Sequence, residues 1–339
     1  VSEPIYILAI ESSCDETSAA ILRGTQVLSN CISSQIQHAK FGGVVPEVAS
    51  RAHQSEIYRV VAQALTDAGI SLDQLHAVAV TQGPGLVGSL LVGITYAKSL
   101  CMALGIPLIS VNHMQAHIMA HFEEKDSPKP KFPFLNLTVS GGHTQLVLVH
   151  SPLQMEVIGE TIDDAAGEAF DKAAKVLGLE YPGGPQVDKF AKQGDAKKYK
   201  FAEPKVKELD FSFSGLKTSL LYFLRDELKK DETFIAKELP HICASYQNAI
   251  VSYLLKKVKM AIAKVSVTDV TLSGGVSANS ELRKQFQEWG EANGISVYIP
   301  PMALCTDNAA MIGIAAYYKF LEKDFASLDI IPLGRMPLV

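Results

Sequence analysis

The sequence is poor in the features that most readily place a chain in a class. Its five cysteines (Cys14, Cys31, Cys101, Cys243 and Cys305) are odd in number, scattered and without a CxxC spacing. That excludes a disulfide scaffold or a zinc ribbon and reads as reduced thiols in a cytosolic protein. There is no basic excess: 31 Lys and Arg face 36 Asp and Glu, a net charge of −5. Strong autonomous nucleic-acid binding is therefore not expected, although a local basic patch is compatible with this balance. The greasiest stretch, Leu86 to Leu104, is interrupted by Ser89, Thr95, Lys98 and Ser99, which predicts a buried helix and no membrane span. No basic–apolar–small signal segment opens the sequence.

What is present is a two-part plan. With 339 residues, 47% of them hydrophobic and 20% charged, two ordinary soluble domains with ample cores are expected. The apolar run Ile5–Ile10 leads through a polar turn, Glu11 to Thr17, into Ser18–Leu22, a predicted hairpin. A helix around Val48 to Ala68 follows, then a strand at His76–Thr81 running into Gly83-Pro84-Gly85 and a long helix from Leu86. The order then recurs: Phe134–Val139, a turn at Ser140–Thr144, a return at Gln145–His150, and later Asp269–Ser273, Gly274-Gly275 and a helix from Ser280 to Trp289. This predicts a divergent internal duplication, each half an α/β layer with its own sheet. The expected division falls in the Pro/Lys-rich linker 126–131, giving domains 1–130 and 131–307, with a terminal helix at about 308–330 packing on either half.

Three sets of residues carry chemistry. In Asn112-His113-Met114-Gln115-Ala116-His117 a helical backbone places His113 and His117 one turn apart on one face. Two imidazoles so placed suit one zinc or iron ion, and Asp307, at the start of another predicted helix, would complete a two-histidine, one-carboxylate set. The competing account is a pair of hydrogen-bonded histidines on an amphipathic helix. The glycine turns Ser140-Gly141-Gly142 and Gly274-Gly275 offer bare amides to an anion, the second also a helix N-terminus. Neither loop fits GxGxxG or GxxxxGK[ST], and each alone is more often a plain tight turn; their paired occurrence favours a nucleotide cleft between the halves. The third set is the helix from Ala165 to about Leu177, capped by Asp163 or Asp164. There Glu168 and Asp171 share a face, as acceptors for ribose hydroxyls or as a solvated surface.

The segments AIESSCDETSAA, GPGLVGSLLVG, VNHMQAH, TVSGGHTQLV, GEAFDKAAKVLGL, YPGGPQVD, FSFSGLKT, LSGGVSAN and CTDNAAMIG, in that order from Tyr6 to Tyr318, resemble the motif series of the TsaD family of tRNA threonylcarbamoyladenosine-modifying enzymes. The resemblance implies the actin, sugar-kinase and heat-shock ATPase (ASKHA) fold: two RNase H-like domains around a nucleotide cleft. It implies one iron or zinc ion per subunit on His113, His117 and Asp307. Thr138, Val139, Ser140, Gly141 and Gly142 would cradle the donor's phosphate and carbamoyl end, with Asp171, Gly184 and Asp188 on the sugar and Asn279 beside the adenine. His121, one turn beyond His117, is not a ligand in the family pattern. The implied reaction moves a threonylcarbamoyl group from threonylcarbamoyl-adenylate to tRNA, with a TsaB-like paralogue and a TsaE-like ATPase as cytoplasmic partners. The tRNA-facing candidates are Lys189, Lys192, Lys197, Lys198, Lys200, Lys205 and Lys207, and the TsaB-facing ones the helices Val48–Ala68 and Leu86–Leu104. Two alternatives are an ASKHA-type small-molecule kinase or ATPase and a metallopeptidase; the latter is weakened by Met114, which stands where HExxH carries its glutamate base. Cys14, in the first polar turn, reads as structural or phosphate-facing.

Overall fold

The computed structural model describes residues 3–35, 43–125, 127–204 and 206–338, so Asp126 of the linker and Lys205 of the lysine run lie outside the described residues. The chain forms two compact units. One comprises 1–129, 151–155 and 300–339; the other comprises 130–150 and 156–299.

In the first unit, β1 (Tyr6–Glu11), β2 (Glu16–Arg23), β3 (Gln26–Ser34), β4 (Ala77–Gly83) and β5 (Leu108–Asn112) form one sheet in the order β3-β2-β1-β4-β5. β1 is antiparallel to β2 and parallel to β4, which is parallel to β5. The strands β1 and β4 read as nearly unbroken apolar runs because both faces are covered. Helices α1 (Pro46–Ala68) and α2 (Val87–Leu104) pack on β2 and β4. α9 (Ala309–Leu321), from the far end of the sequence, packs on β1 and β2. α1 starts two residues before Val48 because Pro46 occupies the first helical turn, where its missing N–H costs nothing.

The helix α2 departs from the expectation of a buried helix. Among the described residues it alone has the length and apolarity to cross a membrane. Only one face is packed, by Leu90, Ile94, Ala97 and Cys101, while Val87, Leu91 and Met102 are 54%, 51% and 70% exposed.

After α9 the chain runs back across the β4–α2 turn. Lys98 Nζ donates to the Ile330 carbonyl (2.6 Å), Leu333 N to the Gln82 carbonyl (2.9 Å) and Gly85 N to the Gly334 carbonyl (3.3 Å). Gly83 is required there, since a Cβ would lie 2.2 Å from the Leu333 carbonyl oxygen.

The second unit repeats the plan. Its strands are β6 (Phe134–Val139), β7 (Thr144–Ser151), β8 (Gln154–Glu160), β9 (Asp269–Ser273) and β10 (Ser296–Tyr298), in the order β8-β7-β6-β9-β10. Again the first strand is antiparallel to the second and parallel to the fourth. The helices α4 (Ala166–Val176), α5 (Gly183–Ala191), α6 (Ser214–Leu228), α7 (Phe234–Val265) and α8 (Ser280–Asn293) complete it. Phe170, Phe211, Phe213, Leu254 and Phe286 pack in its core with Leu135 and Leu137. Two sheets with the same strand order agree with the duplication read from the sequence.

One local expectation fails. Neither Asp163 nor Asp164 caps α4, whose first amide, Ala166 N, donates to Thr144 Oγ1 (3.0 Å). Asp163 instead accepts from Phe213 N (2.7 Å) and from the hydroxyls of Ser212 (2.5 Å) and Ser214 (2.7 Å), fixing the start of α6. Asp164 pairs with Lys172 at 2.6 Å.

Candidate metal centre and glycine loops

The strand β5 ends at Asn112, whose side-chain oxygen accepts from Met114 N (2.9 Å) and Gln115 N (3.2 Å). This cap starts α3 (His113–Met119) at once, so His113 and His117 stand on successive turns. Their rings lie 4.7 Å apart between centroids at 88°. Asp307 immediately precedes Asn308, whose side chain caps α9 through Met311 N (3.0 Å). It meets both imidazoles: Asp307 Oδ1 is 3.3 Å from His113 Nε2 and 3.1 Å from His117 Nε2. All three ligand atoms lie within 4.8 Å of one another.

The two histidine–aspartate spacings fit an ion. Two ligands at about 2.1 Å from a metal, subtending tetrahedral or octahedral angles, lie about 3.0–3.4 Å apart. The chemistry of the donors discriminates further. Glu11, at the end of β1 and fully buried, accepts at Oε1 from Ser13 N (2.5 Å), and at Oε2 from Thr81 Oγ1 (2.5 Å) and His113 Nδ1 (3.0 Å). A carboxylate only accepts, so the His113 proton sits on Nδ1 and a neutral ring presents its Nε2 lone pair to the Asp307 oxygen. Lone pair facing lone pair is repulsive unless a cation or a proton lies between them.

Metal-free, the proton is the answer. Burial lowers the basicity of His113, but Asp307 and Glu11 outweigh it and hold its pKa well above the ordinary value. Burial likewise pushes Asp307 up, yet His113 and His117 hold it well below the usual carboxylate range. His117 Nδ1 is buried without a hydrogen-bond partner, so the orientation of that ring rests on packing and on its Nε2 contact. The side chain of His117 is 1% exposed and that of Asp307 25%, so the trio is reached from solvent on the carboxylate side.

The surroundings favour positive charge. Glu16 is pushed up to about 9, first by burial and then by Asp307, Asp15 and Glu11. Burial and the neighbouring Asp15 and Asp307 also raise the Cys14 thiol, which removes it as a nucleophile at neutral pH. The Cys14 carbonyl is 2.9 Å from His53 Nε2, a structural contact. His121 lies in a 3-10 turn, Ala120–Phe122, outside the trio. Met114 is 3% exposed and carries no group able to act as a base.

In the second unit the candidate substrate residues are largely engaged by the fold. The Thr138 hydroxyl is buried against Asn136 Oδ1 (2.7 Å) and Ser273 Oγ (2.9 Å), and Val139 is fully buried. These two offer backbone, not side chain. Ser140 closes the turn, accepting from His143 N at Oγ (3.0 Å), and Gly141 and Gly142 face open space. Asp171 Oδ1 accepts from Gly183 N (2.8 Å) and Gly184 N (3.2 Å) at the start of α5. Asp188 Oδ1 accepts from Ser280 Oγ (2.7 Å) and N (3.2 Å), and Asn279 caps α8 through Glu281 N and Leu282 N while donating to Gln247 Oε1 (2.8 Å). Three of the candidate polar side chains are thus helix caps, and Glu168 pairs with Lys172 (2.9 Å) and not with a ligand-facing partner. Gln247, Ser280 and Glu281 line, with Lys192 and Lys284, a 450 Å³ hollow beside Asn279.

Sequence reasoning missed Glu11, Ser13 and Thr81. Glu11 lies inside a quoted motif, but a lone buried glutamate gives no hint of its partner until β1 and β5 are known to be parallel neighbours of β4. It also passed over Gly83-Pro84-Gly85-Leu86-Val87-Gly88, which has GxGxxG spacing at a strand-to-helix turn. The chain's own Leu333 and Gly334 lie over that turn.

Comparison with known proteins places the chain as a whole. The family model of TsaD, tRNA N6-adenosine threonylcarbamoyltransferase, matches residues 26–314. A protein of that name from Christiangramia forsetii is 55% identical over 334 residues, covering 98% of both chains. Its namesake from Porphyromonas gingivalis is 52% identical over 339 residues, covering 99% of both. Among solved structures, HypF from T. kodakarensis superposes with a TM-score of 0.61 at 14% identity, covering 97% of this chain and 49% of its own. The (R)-2-hydroxyglutaryl-CoA dehydratase component A from Acidaminococcus fermentans gives 0.54 at 16%, covering 93% and 98%. These two likenesses concern the fold, which is the ASKHA fold. By the family model over residues 26–314 and by relatives more than half identical over nearly the whole chain, this protein belongs to the tRNA N6-adenosine threonylcarbamoyltransferase family, TsaD.

Proposed function

We propose that this protein transfers the threonylcarbamoyl group of threonylcarbamoyl-adenylate to N6 of the adenosine 3′ of the anticodon in tRNAs that read ANN codons, releasing AMP. Family membership over nearly the whole chain carries this proposal. The bond that forms joins the adenosine amine to the carbamoyl carbon; the bond that breaks is the anhydride to the adenylate phosphate. The electron pair leaves with the phosphate and the amine loses a proton.

His113, His117 and Asp307 would hold one Fe(II) or Zn(II) ion. When bound, it supplies a Lewis acid and a template for donor oxygens. Glu11 keeps the His113 proton on Nδ1, and so keeps Nε2 available as a ligand. In the second unit, the Gly141 and Gly142 amides of the Ser140–Gly142 turn, which Ser140 N closes by donating to the His143 carbonyl (2.8 Å), would oppose charge on the phosphate, and Asp171 and Asp188, each with an oxygen not spent on a helix cap, would accept from the nucleoside sugar. Gly184 would let the backbone approach that sugar, and Asn279 would face the adenine. An aromatic amine is a weak nucleophile, so holding it against an activated carbonyl contributes most of the rate.

tRNA would meet the second unit. The whole net charge of −5 resides in the first, with ten Lys and Arg against fifteen Asp and Glu, leaving twenty-one of each in the second. Within the lysine run, Lys192 is paired with Asp188 (3.4 Å) and Lys198 with Glu238 (2.5 Å), so Lys189, Lys197, Lys200 and Lys207 are the better phosphate contacts. The outward residues of α1 and α2, Tyr58 at 73% and Met102 at 70% exposed, suit a TsaB-like paralogue, and a TsaE-like ATPase would join that complex. A tRNA substrate and five free thiols suit the cytoplasm.

The test is a transfer assay with the TsaB- and TsaE-like partners, threonylcarbamoyl-adenylate and an anticodon stem-loop, run beside ATP with candidate small-molecule acceptors. Modified adenosine is expected in the first arm; phosphorylated acceptor without modified adenosine refutes the proposal in favour of a kinase. Anomalous scattering at the iron and zinc edges identifies the ion.

A further inference from the structure

We infer that residues 330–337 are a positioning strap for the histidine helix, acting through the side chain of Asn112. This inference rests on the metal site proposed above and concerns what keeps its ligands in place. Asn112 is used at both ends. Its oxygen starts α3 by accepting from Met114 N and Gln115 N, and its Nδ2 donates to the Pro337 carbonyl (2.8 Å), with the Met336 carbonyl at 3.5 Å. An amide is planar and its two ends differ, so this orientation alone satisfies every partner; the flipped amide would set donors against donors and an oxygen against a carbonyl. The strap's carbonyl therefore fixes the plane of the cap one residue before His113. The strap in turn is anchored on the β4–α2 turn, where Gly83 leaves space for Leu333. Residues 330–337 lie in no helix or strand, so their placement rests on these contacts. The Met336 and Pro337 carbonyls accept from Asn112, which is not itself one of the three ligands, so the strap is a positioning element and not a catalytic one.

Two variants isolate the contact. Ending the chain after Arg335 removes both carbonyl acceptors and leaves the Leu333 and Gly334 anchors. Asn112→Ser keeps an oxygen to cap α3 but is too short to reach Pro337. For wild type and variants, Zn(II) affinity is measured by competition with a chromophoric chelator, the Co(II) d–d spectrum is recorded, and metal-free thermal unfolding is followed. Each variant is expected to bind Zn(II) about tenfold more weakly, the range typical of lost outer-shell support, and to change the Co(II) band. Combining them should weaken binding no further, because they remove one interaction. Wild-type protein that fails to bind either ion overturns the metal site itself. Wild-type binding with both variants within twofold and an unchanged Co(II) band overturns the strap. Should the shortened chain not fold, Asn112→Ser in the full chain decides alone.

Discussion

Replacing Glu11 by glutamine changes the hydrogen-bonding valence of the metal centre and almost none of its volume. Glu11 receives three protons, from Ser13 N, Thr81 Oγ1 and His113 Nδ1. Glutamine can receive at one oxygen only. If that oxygen keeps Ser13, the new NH2 faces Thr81, whose hydroxyl rotates to accept, and His113 Nδ1, which must give up its proton to accept. The proton then moves to Nε2, the atom that should bind metal. If the oxygen turns to His113, two buried donors face each other at Ser13, at a cost of about 1–3 kcal/mol. Either route penalises metal binding. Outer-shell losses of this kind weaken affinity about 10- to 100-fold, or about 1.4–2.7 kcal/mol. Chelator competition with Zn(II), with far-UV circular dichroism to establish folding, measures it. A folded Glu11→Gln protein binding within twofold of wild type would show that the tautomer argument is wrong.

Three further outcomes follow from the same geometry. The folded state raises Glu16 from 4.5 to about 9, so the native protein binds a proton that the unfolded chain has released. Metal-free stability should therefore fall as pH rises from about 4.5 to about 9, by on the order of a few kcal/mol, and Glu16→Gln should flatten the slope; equal urea midpoints at pH 6 and pH 8 in the chelator-treated wild type would contradict this. Gly274 has φ of +83° and ψ of 164°, and a Cβ would lie 2.5 Å from the Val139 carbonyl oxygen. Gly274→Ala should cost about 3 kcal/mol or more, and a loss below about 1 kcal/mol in urea unfolding would refute the strain. Asp188→Asn weakens a charged cap on α8, worth about 0.5–1 kcal/mol; the KM for threonylcarbamoyl-adenylate should rise at least tenfold, and a stability loss without a KM change would make Asp188 a cap and nothing more.

Much of the fold was legible because strands buried on both faces cannot hide their composition. Ile5–Ile10, His76–Thr81 and Asp269–Ser273 each lie within two residues of the observed strand ends. What was not legible depended on partners distant in sequence. Asp163 looks like a cap for the helix it precedes, yet it holds Ser212, Phe213 and Ser214 about fifty residues away. Asp171, Asp188 and Asn279 looked like ligand acceptors, and no local pattern announces that each also accepts from the first amides of a helix. The face of α2 that stays uncovered has the same residue types as the face that packs, so composition alone predicted burial all round.

The metal centre itself shows why residues from opposite ends of the chain converge. Strands β1, β4 and β5 are mutually parallel neighbours, so their C-terminal ends lie along one edge of the sheet, where α/β folds place their sites. Glu11 ends β1, Thr81 lies near the end of β4, Asn112 ends β5 and His113 follows it. The second sheet obeys the same rule: β6 and β9 are parallel, and their ends carry Val139-Ser140 and Ser273-Gly274. The two sheets thus present equivalent edges, of which one carries Glu11, Asp307 and two imidazoles and the other bare glycine amides. On this account the chemistry of each edge should be separable. Changes at Gly141 or Gly142 should leave the Co(II) spectrum of the first unit untouched, and His117→Ala should abolish that spectrum while leaving the unfolding of the second unit unchanged.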